Sequence, residues 1–530
     1  MNEGEDRMTG STVKTTLRQN MIIAGLRISP AFAAAFGVLM IAVIALFTAP
    51  YVGMADNGDF FRIIYSNGLY FNLPDYDSRY FGYFVRQYGI YQYYNENSSM
   101  LLSSQSLFIK LAIVFNKLFF SKEVFDIRFQ AAVYVILYVA AVYLLIEAVT
   151  CRMTRKRGMI VAAVAVFIFG DTGYTAYFNS FFGESVVMIM MIFVFASWLL
   201  MYRKRYNDYV LLLIFLASTV ILTSSKQQNA PVGIVVALMA VSLVWIRKER
   251  LFRWLAAASA ALMLFTGAAT YLNISREFVN INQYHAMTRG VLMQSDNPET
   301  VLGKFGINGQ YAILKGNTYY DQYGTIDVKS EILEDSFYSR YGFVSILKYY
   351  AAHPGQLGSI LDVAAKSAYT IKPDAMGNYE KSAGKEFRAQ SHFFTGYSQL
   401  KEKLAPRTFS FILLWMAVVT GAYMPSFAAA VKKRDARGMQ RSVLILATML
   451  VGLSGIFVSI IGAGDADIAK HEFLFTLSFD LVSFLTVSDV IGRGIFRRKL
   501  AEPLPAAPDI PVIPLVPAEP HTAAKEGVSA

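Results

Sequence analysis

Long apolar runs punctuated by short polar stretches make up most of this chain. Ten of them, roughly 31–50, 128–149, 158–170, 185–202, 209–223, 230–246, 254–272, 408–431, 442–462 and 472–491, read as helices crossing a hydrocarbon core about 30 Å thick. The first, Ala31 to Pro50, contains no charged residue. The run at 158–170 is short for a crossing, so it is expected to extend through the aromatic stretch after it or to sit where neighbours thin the bilayer. Two intervening segments are long. Segment 51–127 carries "SLFIKLAIVFNKLFF", whose only charges are Lys110 and Lys117. Read as a span it would reverse every later loop, so an interfacial helix with snorkelling lysines is predicted.

The pattern predicts an all-α polytopic membrane protein of about ten transmembrane helices with a mixed extracytoplasmic domain. Its expected parts are a cytoplasmic N-terminal segment (1–30), a transmembrane module of seven spans (31–272) that includes the outer loop 51–127, a folded extracytoplasmic domain (273–407), and three closing spans (408–491). A cytoplasmic tail (492–530) follows, with prolines every third residue from Pro505 to Pro520. That period suits a flexible polyproline stretch with too little apolar bulk to fold alone.

Composition agrees with a life in lipid: 55% hydrophobic, 16% charged, mean hydropathy +0.39. The net charge of +11 raises the question of nucleic acid, and the placement of the charge answers it. Basic residues gather in alternate loops, at Arg152–Arg157, Arg203–Arg205, Arg247–Arg253, Lys432–Arg441 and Arg493–Lys499, whereas loops 171–184, 223–229 and 462–472 hold only Lys226 and Lys470. The positive-inside rule makes the basic loops and both termini cytoplasmic and sets the protein in the plasma membrane with the lipid bilayer, not nucleic acid, as its partner. Cys151 is the single cysteine, which excludes an intrachain disulfide. The chain has no phosphate-binding glycine loop and no CxxC pair.

Four polar stretches then fall on the expected outer face: "ADNGDFF" after the first span, "GDTGYTAYFNSFFGES" after the third, "TSSKQQNAP" after the fifth and "GDADIAKHE" after the ninth. Ionisable residues at membrane depth are costly and mark a site or a pathway. Each has a plainer explanation. Asp56 and Asp59 are spaced like a helix cap and its partner, with Asn57-Gly58 turning the chain. Glu184 opens a helix, where a carboxylate favours the dipole. Lys226 could be a loop lysine, and Lys470 and His471 could pair locally with Asp465, Asp467 or Glu472. Their common location is what those explanations leave over.

The array of spans, the long first outer loop and its aspartate resemble the GT-C superfamily of polyprenyl-phosphate-sugar-dependent glycosyltransferases. More narrowly, "ADNGDFFR", "YFNSFFGES", "NYEKSAG" at 378–384 and "GDADIAKHEFLF" are similar to bacterial glycan-biosynthesis hexose transferases of the WsfD type. The similarity runs from the first span to the last. It implies an inverting hexosyltransferase that takes a sugar from a polyprenyl-phosphate donor and passes it to a glycan acceptor at the cell surface. Asp56 would be the general base, with Asp59 the competing choice, and Glu184 would orient acceptor or base. Arg62, Asn179, Lys226, Asp465, Asp467, Lys470 and His471 would meet substrate, the cations facing the departing phosphate. A divalent cation, Mg2+ or Mn2+, stays open; Asp56, Asp59 and Glu184 would hold it. A lipid-linked glycan polymerase or ligase, or a flippase of the same pathway, is the alternative. A flippase would favour midplane charges and internal repeats, and neither is evident in the sequence.

Overall fold

The computed structural model describes residues 28–96, 103–321, 324–466 and 468–494. Most of the N-terminal segment, Asp467 and the proline-rich tail lie outside the described residues. Among those described, nine helices are long and apolar enough to cross a membrane, and a bent pair makes up to ten. The chain is a polytopic helical membrane protein.

Helix α1 (Pro30–Phe47) starts where Ser29 accepts the Phe32 amide and Pro30 takes the first turn, the position that needs no N–H donor. Helix α2 (Gln105–Phe119) follows the first long loop, then α3 (Arg128–Thr150) and α4 (Arg155–Phe169). The short apolar run ends at Gly170, and the chain bends by 47° into Thr172–Asn179. Asp171 makes that bend by accepting the Gly173 amide at 2.7 Å and capping the new turn.

Helix α5 (Glu184–Arg203) is the hub. Its window is 89% buried, and it packs against α3, α6 (Asp208–Ser225), α11 (Ala436–Ala463) and α12 (Phe473–Ile491). The span Gln227–Trp245, which contains α7 (Ala230–Val241), presses against α8 (Arg250–Leu272) through Gly233 and Gly267. A Cβ on either glycine would stand 2.8 Å from a backbone oxygen of the other helix, the close approach that small residues permit between spans. At the rim, α8 and α10 (Phe409–Lys432) are only 28% and 17% buried, so their apolar sides face outward.

Helix α2 packs against α3, with Phe108 on Tyr134 and Phe120, just past the helix end, on Phe129. One side of α2, Ile109, Ala112 and Ile113, is buried, while Leu107, Leu111, Val114, Leu118 and Phe119 are exposed. A 15-residue helix with one buried and one exposed apolar side suits the expected interfacial location.

The strands sit in this first loop. Here β1 (Leu69–Tyr70), β2 (Gln87–Ile90) and β3 (Val124–Asp126) form an antiparallel sheet in that order, with Leu69 opposite Ile90 and Tyr88 opposite Phe125. Segment 273–407 is instead helical among its described residues, including α9 (Gly396–Leu404). Its aromatic core, with Tyr284, Phe337, Tyr341 and Tyr350, continues into Ile456 and Ile460 of α11 and Phe475 of α12. The extra segment is thus packed onto the span ends rather than tethered beyond them.

Candidate functional site

The segment after α1 is held in extended form by two distant stretches. The Gly53 and Ala55 amides donate to the carbonyls of Asn378 and Gly377, and the Asn378 side chain returns a bond to the Gly53 carbonyl at 2.9 Å. On the other side, Asn179 is fully buried and its amide nitrogen donates to the carbonyls of Leu46 and Val52. Asn179 therefore scaffolds the loop; its position inside the packing differs from the expected place against substrate.

Asn57-Gly58 then turns the chain, with Gly58 at φ +96°, a conformation glycine adopts without strain. The turn closes on Asp56. Its Oδ1 accepts from the amides of Gly58, Asp59 and Phe60 at 2.7, 3.0 and 3.2 Å, and its Oδ2 accepts from the Tyr76 hydroxyl at 3.1 Å. Asp56 is 4% exposed. Burial pushes its carboxyl up to about 6, against the pull of the amide donors.

Asp59 emerges from the same turn with its side chain 30% exposed. Its Oδ1 stands 2.8 Å from Arg62 and its Oδ2 2.5 Å from the Lys470 ammonium. Burial pushes the Asp59 carboxyl up, but Lys470 and Arg62 together overcome it and hold the group well below the usual carboxylate range. Lys470 is 4% exposed and lies 4.9 Å from the Phe182 ring centre. Arg62 reaches into the 273–407 segment, donating to the Tyr320 hydroxyl at 2.6 Å and stacking on Phe278 at 4.9 Å. Lys470 thus pairs with a carboxylate 411 residues away in sequence, a contact its own neighbourhood does not suggest.

The remaining candidates flank this pair. His471 Nδ1 lies 2.7 Å from Gln228 Oε1, two residues beyond Lys226. Lys226 donates to buried Glu184 at 2.6 Å. Glu184 Oε2 has no hydrogen-bond partner among the described residues. Phe181 and Phe182, just before Glu184, pack against Phe60 at 5.5 and 4.8 Å, so the second and first loops share one wall. Asp465 pairs with Arg289 at 2.6 Å, and Arg289 also holds the Gly316 carbonyl. Its role is to join the last loop to the 273–407 segment. The four sequence stretches that carried the expectation therefore meet at one end of the bundle. Basic residues of alternate loops collect at the other, where Arg205 pairs with Glu147 and both Arg247 and Arg437 pair with Asp208.

Sequence reasoning missed Tyr76, Phe278, Tyr320 and Arg289, which no spacing distinguishes from ordinary polar or aromatic positions. Glu472 did carry a signal, a carboxylate directly preceding an apolar span. It is fully buried, neither oxygen meets a hydrogen-bond partner among the described residues, and burial pushes it well above the usual range.

The donor set does not suit a divalent cation. Asp56 is filled by amide and phenol donors, Asp59 is neutralised by two cations, and Glu184 is engaged by Lys226. Among the described residues no group of three or more His, Cys, Asp or Glu could hold a metal ion.

A family model described as the YfdI N-terminal transmembrane domain matches residues 14–503. Neither a curated protein nor a solved structure matches the chain.

Proposed function

The chain belongs to the family of YfdI N-terminal transmembrane domains, and from that premise we propose that it is a GT-C-type hexosyltransferase of the plasma membrane. It takes a sugar from a polyprenyl-phosphate donor and passes it to a cell-surface glycan, with the Asp56 end outward and both termini cytoplasmic. One observation carries the reading: Asp59, a partly exposed carboxylate, sits between Lys470 and Arg62, so a proton acceptor and two phosphate-binding cations share one place.

Glycosyl transfer from a lipid phosphate needs those two elements. The acceptor hydroxyl gives its proton to a carboxylate, its oxygen bonds to the anomeric carbon from one face, and the bond from that carbon to the phosphate oxygen breaks on the other. The lipid phosphate departs with the bonding electrons, and charge-assisted bonds from Lys470 and Arg62 stabilise it. We assign the base to Asp59. Geometry decides before pKa does, and Asp56, although its carboxyl is raised to about 6, has both oxygens occupied within the loop. Asp59 is a weak base while its cations are bound to it. A donor phosphate that draws Lys470 and Arg62 toward itself restores its basicity, which couples donor binding to acceptor activation. Asp56 positions the turn. Lys226, Glu184 and His471 complete the adjoining wall.

The test compares lipid-linked and surface glycans in cells with and without the gene. Loss of a single hexose from the surface glycan, with the polyprenyl-phosphate sugar accumulating, is the expected result. An unchanged glycan together with lipid-linked sugar trapped on the cytoplasmic side would replace transfer by translocation.

A further inference from the structure

Helix α9 is only nine residues long, yet two buried carboxylates fix it. Asp171 accepts from the Ser398 amide and hydroxyl at 2.9 and 3.0 Å, and Asp480 of α12 pairs with Lys401 at 2.7 Å while accepting the Tyr397 hydroxyl. Rigid support of this kind is what a precise binding surface demands. The face it holds steady, Thr395, Ser398, Gln399 and Glu402 at helical spacing, forms one wall of a cavity of about 100 Å³. That is room for about three waters, and the cavity also opens outward.

The opposite wall is built from Lys372, Asp374 and Gln390. Lys372 Nζ donates to Asn378 Oδ1 at 2.6 Å and to the Ser391 carbonyl at 3.2 Å, both neutral groups. Burial lowers its ammonium to about 8, opposed by Asp171 and Asp374. Gln390 uses its amide nitrogen on the Met376 carbonyl, and its Oε1 is buried without a partner among the described residues. An unmet acceptor, an ammonium with donor capacity to spare, two carboxylates, the His392 imidazole and the hydroxyls of Ser391, Thr395 and Ser398 together demand a ligand that both donates and accepts at many points. A phosphate would be repelled by Asp374 and Glu402. An apolar ligand would strand every polar group present.

We propose that this cavity is a carbohydrate subsite that takes the hydroxyl-bearing edge of one sugar of the acceptor glycan, upstream of the residue being extended. It rests on the transfer reading above for its choice of glycan. The link to Asp59 is short and hydrogen-bonded: Asn378, which holds Lys372, also holds Gly53, three residues before Asp56. A glycan held here is registered against the reacting end by the same strand that registers the carboxylates.

The test uses the full chain in lipid nanodiscs and, as probe, surface polysaccharide released by mild acid from cells that carry the gene. Binding is followed by saturation-transfer NMR. The wild type is expected to bind, and Gln399→Trp, which fills the cavity from an exposed position, to weaken binding at least tenfold. Gln390→Ala and Asp374→Ala should each weaken it severalfold, so the result does not hang on one variant's folding. Lys433→Ala, exposed beyond the far end of α10, should bind as the wild type does. No binding by the wild type, unchanged affinity in all three cavity variants, or displacement of the glycan by polyprenyl phosphate would overturn the proposal. Cavity-dependent glycan binding by a protein that transfers no hexose would sink the transfer reading and leave the subsite standing.

Discussion

Exchange of Asp59 for asparagine separates chemistry from architecture. A general base within reach of its proton contributes about a hundred- to ten-thousand-fold, which is about 2.7–5.5 kcal/mol at 1.36 kcal/mol per decade. The same substitution also removes the Lys470 and Arg62 ion pairs of Asp59, which costs stability as well as chemistry. The two losses have to be told apart. Lys470→Met with Asp59 intact removes one of those ion pairs but leaves the base, so it should lower melting while retaining more turnover than Asp59→Asn. Asp56→Asn is the counterpart. Asparagine can still accept the three amide bonds to Oδ1, so the turn survives at a cost of about 1 kcal/mol and transfer falls by tenfold at most. Purified variants in proteoliposomes, given radiolabelled polyprenyl-phosphate hexose and delipidated glycan, report initial rates, with melting in detergent as the control. Near-normal transfer by Asp59→Asn with a dead, well-folded Asp56→Asn would refute the assignment and return the role to Asp56.

Asp56 also predicts a pH dependence. A carboxyl raised to about 6 in the fold binds its proton more tightly there than in the unfolded chain, so stability falls as pH rises from about 4 through 6, by about 3 kcal/mol in all; Asp56→Asn should flatten that part of the melting-versus-pH curve, and an unchanged slope would deny the shift. The Lys401–Asp480 pair is buried on both sides, so Lys401→Met should cost about 3–5 kcal/mol, while adding Asp480→Asn, which removes the stranded charge and keeps an acceptor for the tyrosine hydroxyls it holds, should recover part of it; equal melting of the single and double variants would mean the pair carries no such penalty. In a Cys151→Ser background, cysteine at Ile332, which is exposed, should label with an impermeant reagent on intact cells and cysteine at Lys433 should label only after lysis; the reverse pattern would invert the topology.

The spans were legible because each required a long apolar stretch, and the one imitation, 105–119, carried two lysines and was too short. Even the short span announced its continuation, since Gly170-Asp171 both ends one helix and caps the next turn. The strands were not legible. Pieces of two to four residues are shorter than any alternation that could be read. Clustering of the polar loops at one end followed from counting spans, but partner choice did not. Lys470 has nearby acids in sequence, yet it reaches Asp59 in the first loop, because the fold brings the first and last loops together and turns Asp465 toward Arg289. Asn179 shows the other limit: a polar side chain in an outer-loop motif looks the same whether it holds a ligand or the backbone beneath one.

The Asp59–Lys470 contact spans 411 positions, and that separation has a consequence for biogenesis. At about 5–20 residues per second, about 20–80 s of synthesis part the emergence of the two residues. Throughout that interval the first loop has its carboxylate without the ammonium that pairs with it, and the wall contributed by the final loop does not exist. On the proposed topology, the nascent chain exports half a site. Insertion of the last two helices completes it, so on the proposed function a protein interrupted anywhere before Lys470 would occupy membrane and remain inert.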